Sequence, residues 1–232
     1  MIARRDERES ERGMTLIEML VAMSLLAIAT TLIATMVITV SRTFVREESQ
    51  QDSSRTAALG MQHISRIVRG GTEVPQSSTW QQLPVFDAAR PNSLTIHTYL
   101  DSATTASGPA RITLAVNAAG ELVQTRVAAR AAGTGWTYVG QPSTSRVIVR
   151  DVAPPGTRVA GAVIPSMFTY LKTDGTPFSL SSTGQLTEQQ RREVLAVRIS
   201  LVIQTGAGAG AEPAQLVSTV ALPNLNQTRT GP

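Results

Sequence analysis

The chain of 232 residues contains no cysteine. Disulfides, thiolate metal sites, thiol nucleophiles and lipid attachment at an N-terminal cysteine are therefore excluded. The absence leaves the compartment open, because an exported domain with a large enough core needs no disulfides. Aromatic residues are 4% of the chain and charged residues 16%, so the core has to be built from Val, Leu, Ile and Ala. Lysine is almost missing: Lys172 stands alone, and arginine supplies the rest of the basic side behind a net charge of +4. No basic run is interleaved with aromatics, so a nucleic-acid surface is not supported.

Catalytic signatures are equally scarce. The two histidines, His63 and His97, have no third ligand or carboxylate pair at metal spacing. No G-x-S-x-G elbow occurs, and no nucleophile, base and orienter fall at local spacing. The expectation is a protein without enzyme activity, cofactor or metal. The glycine-rich stretch TGAGAGAEP, residues 205 to 213, follows a strand pattern but leads to Pro213 and another strand, so it reads as a flexible hairpin loop, not a phosphate cradle. DSATTASGPA reads as a surface loop. Asp174 has no acidic neighbour within several positions, and a calcium ion takes about six or more oxygens, so it reads as a turn-forming Asp-Gly.

What is present is one long apolar run. Met14 to Val40 reads MTLIEMLVAMSLLAIATTLIATMVITV, apolar or small throughout except for Glu18. As a helix it is about 40 Å long, more than the ~30 Å hydrocarbon core requires. Cleavage by a secretory signal peptidase at Ala27 to Ala29 is disfavoured. The apolar run continues beyond that site, and the preceding Arg4, Arg5, Arg8 and Arg12 are balanced by Asp6, Glu7, Glu9 and Glu11. A carboxylate inside a bilayer is costly unless partnered, which makes Glu18 a candidate functional residue. Position near a helix N-terminus and snorkelling to the headgroups are the competing explanations.

After Val40 the chain turns polar and then amphipathic. Ala57, Met61, Ile64 and Val68 share one helical stripe, and Gly70 and Gly71 supply a stop. One helix from about Thr15 to about Arg69 is expected. Beyond it NSLTIHTYL, ARITLAVN, ELVQTRVAAR, SRVIVRDVA, SMFTYLKT, VLAVRISLVIQT and AQLVSTVAL read as about seven strands. NAAG and TDGTP suggest tight turns. The expected fold class is α+β: a long N-terminal helix carrying an antiparallel, strand-rich head.

GMTLIEMLVAM, residues 13 to 23, resembles the N-terminal signature of type IV prepilins and type II secretion pseudopilins. In that family a membrane aspartyl peptidase cuts after a glycine and methylates the new N-terminus. The resemblance implies that Gly13 ends the leader, that Met14, where the family usually has Phe, is the first mature residue, and that Glu18 is the fifth. It further implies that Glu18 meets a Met14 amine during assembly, a charge answering a charge. The head order, from RDVA through MFTYLKTDGTPF and RREVLAVRISLVIQ to LVSTVALPNLN, resembles J-type minor pseudopilins and W-type minor pilins, with Pro223 where an arginine is common. The implied organisation is a leader over 1–13, a membrane or filament-core helix over 14–40, its amphipathic continuation over 41–71 and a β-rich head over 72–232. The implied partners are other pilin or pseudopilin subunits, the prepilin peptidase, an inner-membrane assembly platform, and membrane lipid before assembly. The implied location is the cytoplasmic membrane with an extracytoplasmic head, then a filament tip. An uncleaved, single-pass anchored binding module is the alternative.

Overall fold

The structure is a computed structural model that describes residues 15–76, 82–99, 108–159, 161–204 and 213–223. Its first element, α1 (Leu16–Arg69), is a 54-residue helix that starts and stops where the apolar pattern and the paired glycines predict. At its end Gly70 N–H donates to Arg66 O and Gly71 N–H to Val68 O, both at 3.1 Å. A Cβ at Gly71 would lie 2.7 Å from Ile96 Cδ1 and 2.8 Å from Val85 Cγ1. The chain can turn there against the sheet only because no side chain intervenes.

Contacts divide the chain after Glu47. In the first part, the α1 side chains from Leu16 to Val45 are exposed. Its best 18-residue window has a mean hydropathy of 2.3, long and apolar enough to cross a membrane. Polar side chains in this run satisfy themselves: the hydroxyls of Ser24, Thr30, Thr31, Thr35 and Thr39 donate to the carbonyls of Leu20, Leu26, Ala27, Thr31 and Thr35 at 2.6–2.8 Å. A hydroxyl bonded to the preceding turn needs no water, so these residues are compatible with hydrocarbon.

The second part is the head. Its strands are β1 (Val74–Pro75), β2 (Gln82–Leu83), β3 (Phe86–Ala89), β4 (Ser93–Thr98), β5 (Ala110–Val116), β6 (Leu122–Ala128), β7 (Arg130–Ala132), β8 (Gly135–Thr137), β9 (Ser143–Val149), β10 (Arg158–Val159), β11 (Ala162–Val163), β12 (Phe168–Leu171), β13 (Ala196–Ile203) and β14 (Ala214–Ala221), with a short helix α2 (Glu188–Glu193) before β13. A five-stranded antiparallel sheet has the order β3-β4-β5-β6-β9, and a three-stranded one the order β12-β13-β14. The remaining strands form two-residue or three-residue ribbons.

Both sheets close on one stripe of α1. Ala57, Ile64 and Val68 join Leu94, Ile96, Ile112 and Leu114 of the larger sheet and Val197, Ile199 and Leu201 of the smaller in a single buried cluster. Burying an Ile or Leu side chain contributes about 1.5–3 kcal/mol, so this stripe holds the two sheets together. Gly60 lies on the same stripe, where a Cβ would sit 2.4 Å from Val149 Cγ2 and 3.2 Å from Leu201 Cδ2.

All seven expected strands are present, as β4, β5, β6, β9, β12, β13 and β14. The NAAG turn closes with Gly120 N–H donating to Asn117 O at 3.1 Å, and the TDGTP turn with Gly175 N–H donating to Lys172 O at 3.0 Å. Gly120 and Gly175 adopt φ of 72° and 78°, the left-handed region that favours glycine. The expected loop 205–212 and most of DSATTASGPA lie outside the described residues.

Candidate functional site

Gly13 and Met14 lie outside the described residues, and Glu18 sits in the first turn of α1. Its carboxylate Oε2 accepts from Thr15 N–H and from the Thr15 hydroxyl, each at 3.0 Å. In return Thr15 Oγ1 accepts from Glu18 N–H at 3.3 Å. This is a capping box: the T-x-x-E spacing satisfies two backbone donors that a helix start otherwise leaves open. Dipole and snorkelling arguments missed this role, although the spacing of Thr15 and Glu18 carries the signal. Glu18 is thus polar for a local reason before any partner arrives.

The histidines have structural partners. His97 is buried in β4, its Nδ1 2.8 Å from Pro84 O and its ring stacked on Tyr138 with centroids 5.2 Å apart. The carbonyl can only accept, so the proton is on Nδ1. Burial pushes the His97 pKa down, opposed by the Pro84 carbonyl and Asp87 and assisted by Arg111 and Arg191. His63, on α1, meets the Gln124 amide oxygen at 2.8 Å. Arg146 donates to the same oxygen through Nε at 3.2 Å and NH2 at 3.0 Å, tying the helix to β6 and β9. The two histidines therefore act in separate packing arrangements.

Asp174 is occupied by its own turn. Its Oδ1 accepts from the Thr176 hydroxyl at 2.6 Å and from Thr176 N–H at 2.9 Å, and these bonds hold its carboxyl below the usual carboxylate range. Among the described residues no group of three or more His, Cys, Asp or Glu side chains could hold a metal ion. What the described surface offers instead is an exposed apolar helix capped by Glu18 and a head with several sheet edges.

Residues 8–34 match the prokaryotic N-terminal methylation motif. The match spans Gly13, Met14 and Glu18 and runs into the apolar part of α1. It supports a type IV pilin-type protein, processed by prepilin peptidase and assembled with other pilin subunits. Such proteins are structural, not catalytic. No curated protein matches the chain.

Proposed function

We propose that the chain is a minor pilin or pseudopilin, most like the W or J type, cut after Gly13, N-methylated at Met14 and assembled at or near a filament tip. The carrying observation is the methylation motif over residues 8–34, placed on a helix whose first part exposes its apolar side chains and whose second part packs into a β-rich head. Before assembly the apolar run lies in the cytoplasmic membrane, with the head on the extracytoplasmic side. In the filament, helices associate through small residues such as Ala22, Ala27, Ala29 and Ala34. The head, larger than one hairpin sheet can supply, suits a tip subunit.

Glu18 connects the two states. Both bonds donated by Thr15 reach Oε2, so Oε1 keeps acceptor capacity for the amine that cleavage creates at Met14, in the same subunit or a neighbour. An ionised carboxylate within the apolar run is costly, though less so in the first turn than at the centre of a membrane helix, and a cationic partner offsets that cost in the assembled core.

Intact mass of the membrane-extracted protein tests the reading. Loss of residues 1–13 with gain of one methyl is expected. A full-length mass would overturn it and favour an uncleaved anchored binding module. A bulky side chain at the scissile bond should block the peptidase, so Gly13→Leu is expected to keep its leader; normal processing of that variant counts against cleavage after Gly13.

A further inference from the structure

We propose that β14 accepts an extended strand from a neighbouring subunit, which extends the three-stranded sheet and fills the groove beside α1; this inference rests on the pilin-type reading above. Among the described residues β14 is an edge strand paired only with β13, in unbroken register from Ala196↔Ala221 to Ile203↔Ala214. Leu222 N–H points to Leu195 O. Alternation then directs the N–H and C=O groups of Gln215, Val217, Thr219 and Ala221 away from β13. Four outward residues on an eight-residue strand form a complete template for strand addition.

The other edges of the two larger sheets are blunted. In β12 the Phe168 N–H donates to Pro91 O and the Tyr170 carbonyl accepts from Phe178 N–H, so loops cover that edge. β3 has a register break at Asp87, and Arg191 donates to the carbonyls of Phe86 and Asp87. β9 has a register break at Ile148 and carries Arg146. β14, with sequence AQLVSTVA, has no charge, no proline and no register break. Natural sheets normally protect such an edge, so an exposed one marks a pairing site.

The space beside the edge fits the same occupant. A groove of about 630 Å³ is lined by Ala58, Met61, Arg66 and Arg69 of α1 and by Leu216 and Val217 of β14. A fourth strand about 4.8 Å beyond β14 would lie over it, dropping alternate side chains onto Ala58 and Met61. The arginines fix the chemistry of the occupant: small apolar residues facing the groove, with an acidic residue towards Arg69. A second copy of β14 would bring a second basic rim to the same groove. The chain's own residues 224–232 carry Arg229 and no Asp or Glu, so they present the same sign.

The test uses the full chain in cells that assemble the filament, with a photo-crosslinking side chain at Thr219. The expected product is a covalent adduct with another pilin-type subunit, the attachment mapping to a strand of that subunit that carries small apolar residues and an acidic one; attachment to a strand without an acidic residue would overturn the stated occupant. An adduct between two copies of this chain, or none, would overturn the proposal. Val217→Pro removes an outward N–H without touching the ladder to β13, so melting is expected to stay unchanged while the adduct falls about tenfold. If Val217→Pro lowers the melting temperature, Thr219→Lys takes its place, with the crosslinker moved to Gln215 and the same loss expected. Wild-type adduct yield in the folded variant would overturn strand acceptance. Intact mass of the same samples separates the two readings: an unprocessed chain overturns the pilin-type reading and this proposal together, whereas a processed chain with undiminished adduct overturns this proposal alone.

Discussion

At the scale of single residues, Glu18 combines two roles that one substitution would confuse. Its carboxylate caps α1 through Thr15, and in the assembled state it is proposed to meet an amine. Gln preserves the capping box but removes the charge; Val removes both. Glu18→Gln is therefore expected to keep helix content while reducing crosslinking to neighbouring subunits about as strongly as Glu18→Val. Wild-type crosslinking by Glu18→Gln would leave capping as the only role. His97 offers a separate check on the head. Its pKa is about 6.5 when unfolded and lower when folded, so the folded state disfavours the proton. The stability tied to neutral His97 is complete above pH 6.5 and is lost as pH falls through the folded pKa. Melting temperature should decline on acidification below pH 6.5, and a neutral replacement such as His97→Gln should flatten that decline. An equal slope in the variant would assign the acid sensitivity elsewhere.

Among the elements, seven strands were legible as alternating or apolar runs and α1 because its stripe repeats at helical spacing, whereas the four-residue β3 was not read. The ribbons β1–β2, β7–β8 and β10–β11 are two or three residues long, too short to carry a period. α2, just ahead of VLAVRISLVIQT, was assigned no element, although Thr187 and Gln190 form a capping box. The division into two sheets was not legible either, since β6 pairs with β9 across the β7–β8 ribbon and only tertiary packing selects that partner. Of the candidate site, Glu18 and its motif were readable from local spacing, while the β14 edge depends on knowing which strands pair. Gly60 was also missed: helix propensity counts it as a defect, yet a Cβ there would sit 2.4 Å from Val149 Cγ2 and 3.2 Å from Leu201 Cδ2. Gly60→Leu should destabilise the head by about 1–3 kcal/mol through overpacking, outweighing the roughly 1 kcal/mol of helix propensity gained. Chemical denaturation measures this, and an unchanged or higher midpoint would mean that the two sheets can move apart at little cost.

On the scale of the whole molecule, the contacts that part after Glu47 imply that the head is an autonomous folding unit. Every buried hydrophobic residue of the described chain, from Ala57 to Leu222, belongs to it, whereas the large apolar side chains from Leu16 to Val40 are exposed and call for lipid or neighbouring helices. A fragment starting at Phe44 is thus expected to be soluble without detergent, to unfold cooperatively and to give a sheet-dominated circular dichroism spectrum with a minor helical part from α2 and the rest of α1. A fragment starting at Gly71 tests the reason. It keeps every strand but loses Ala57, Ile64 and Val68, the stripe that joins the five-stranded and three-stranded sheets in one buried cluster. With both sheets uncovered on their apolar faces, that fragment should bind a hydrophobic dye and melt without a cooperative transition. Cooperative folding of the shorter fragment would mean that the sheets form a core without α1, whereas a helix-dominated spectrum for the longer one would refute the β-rich head itself.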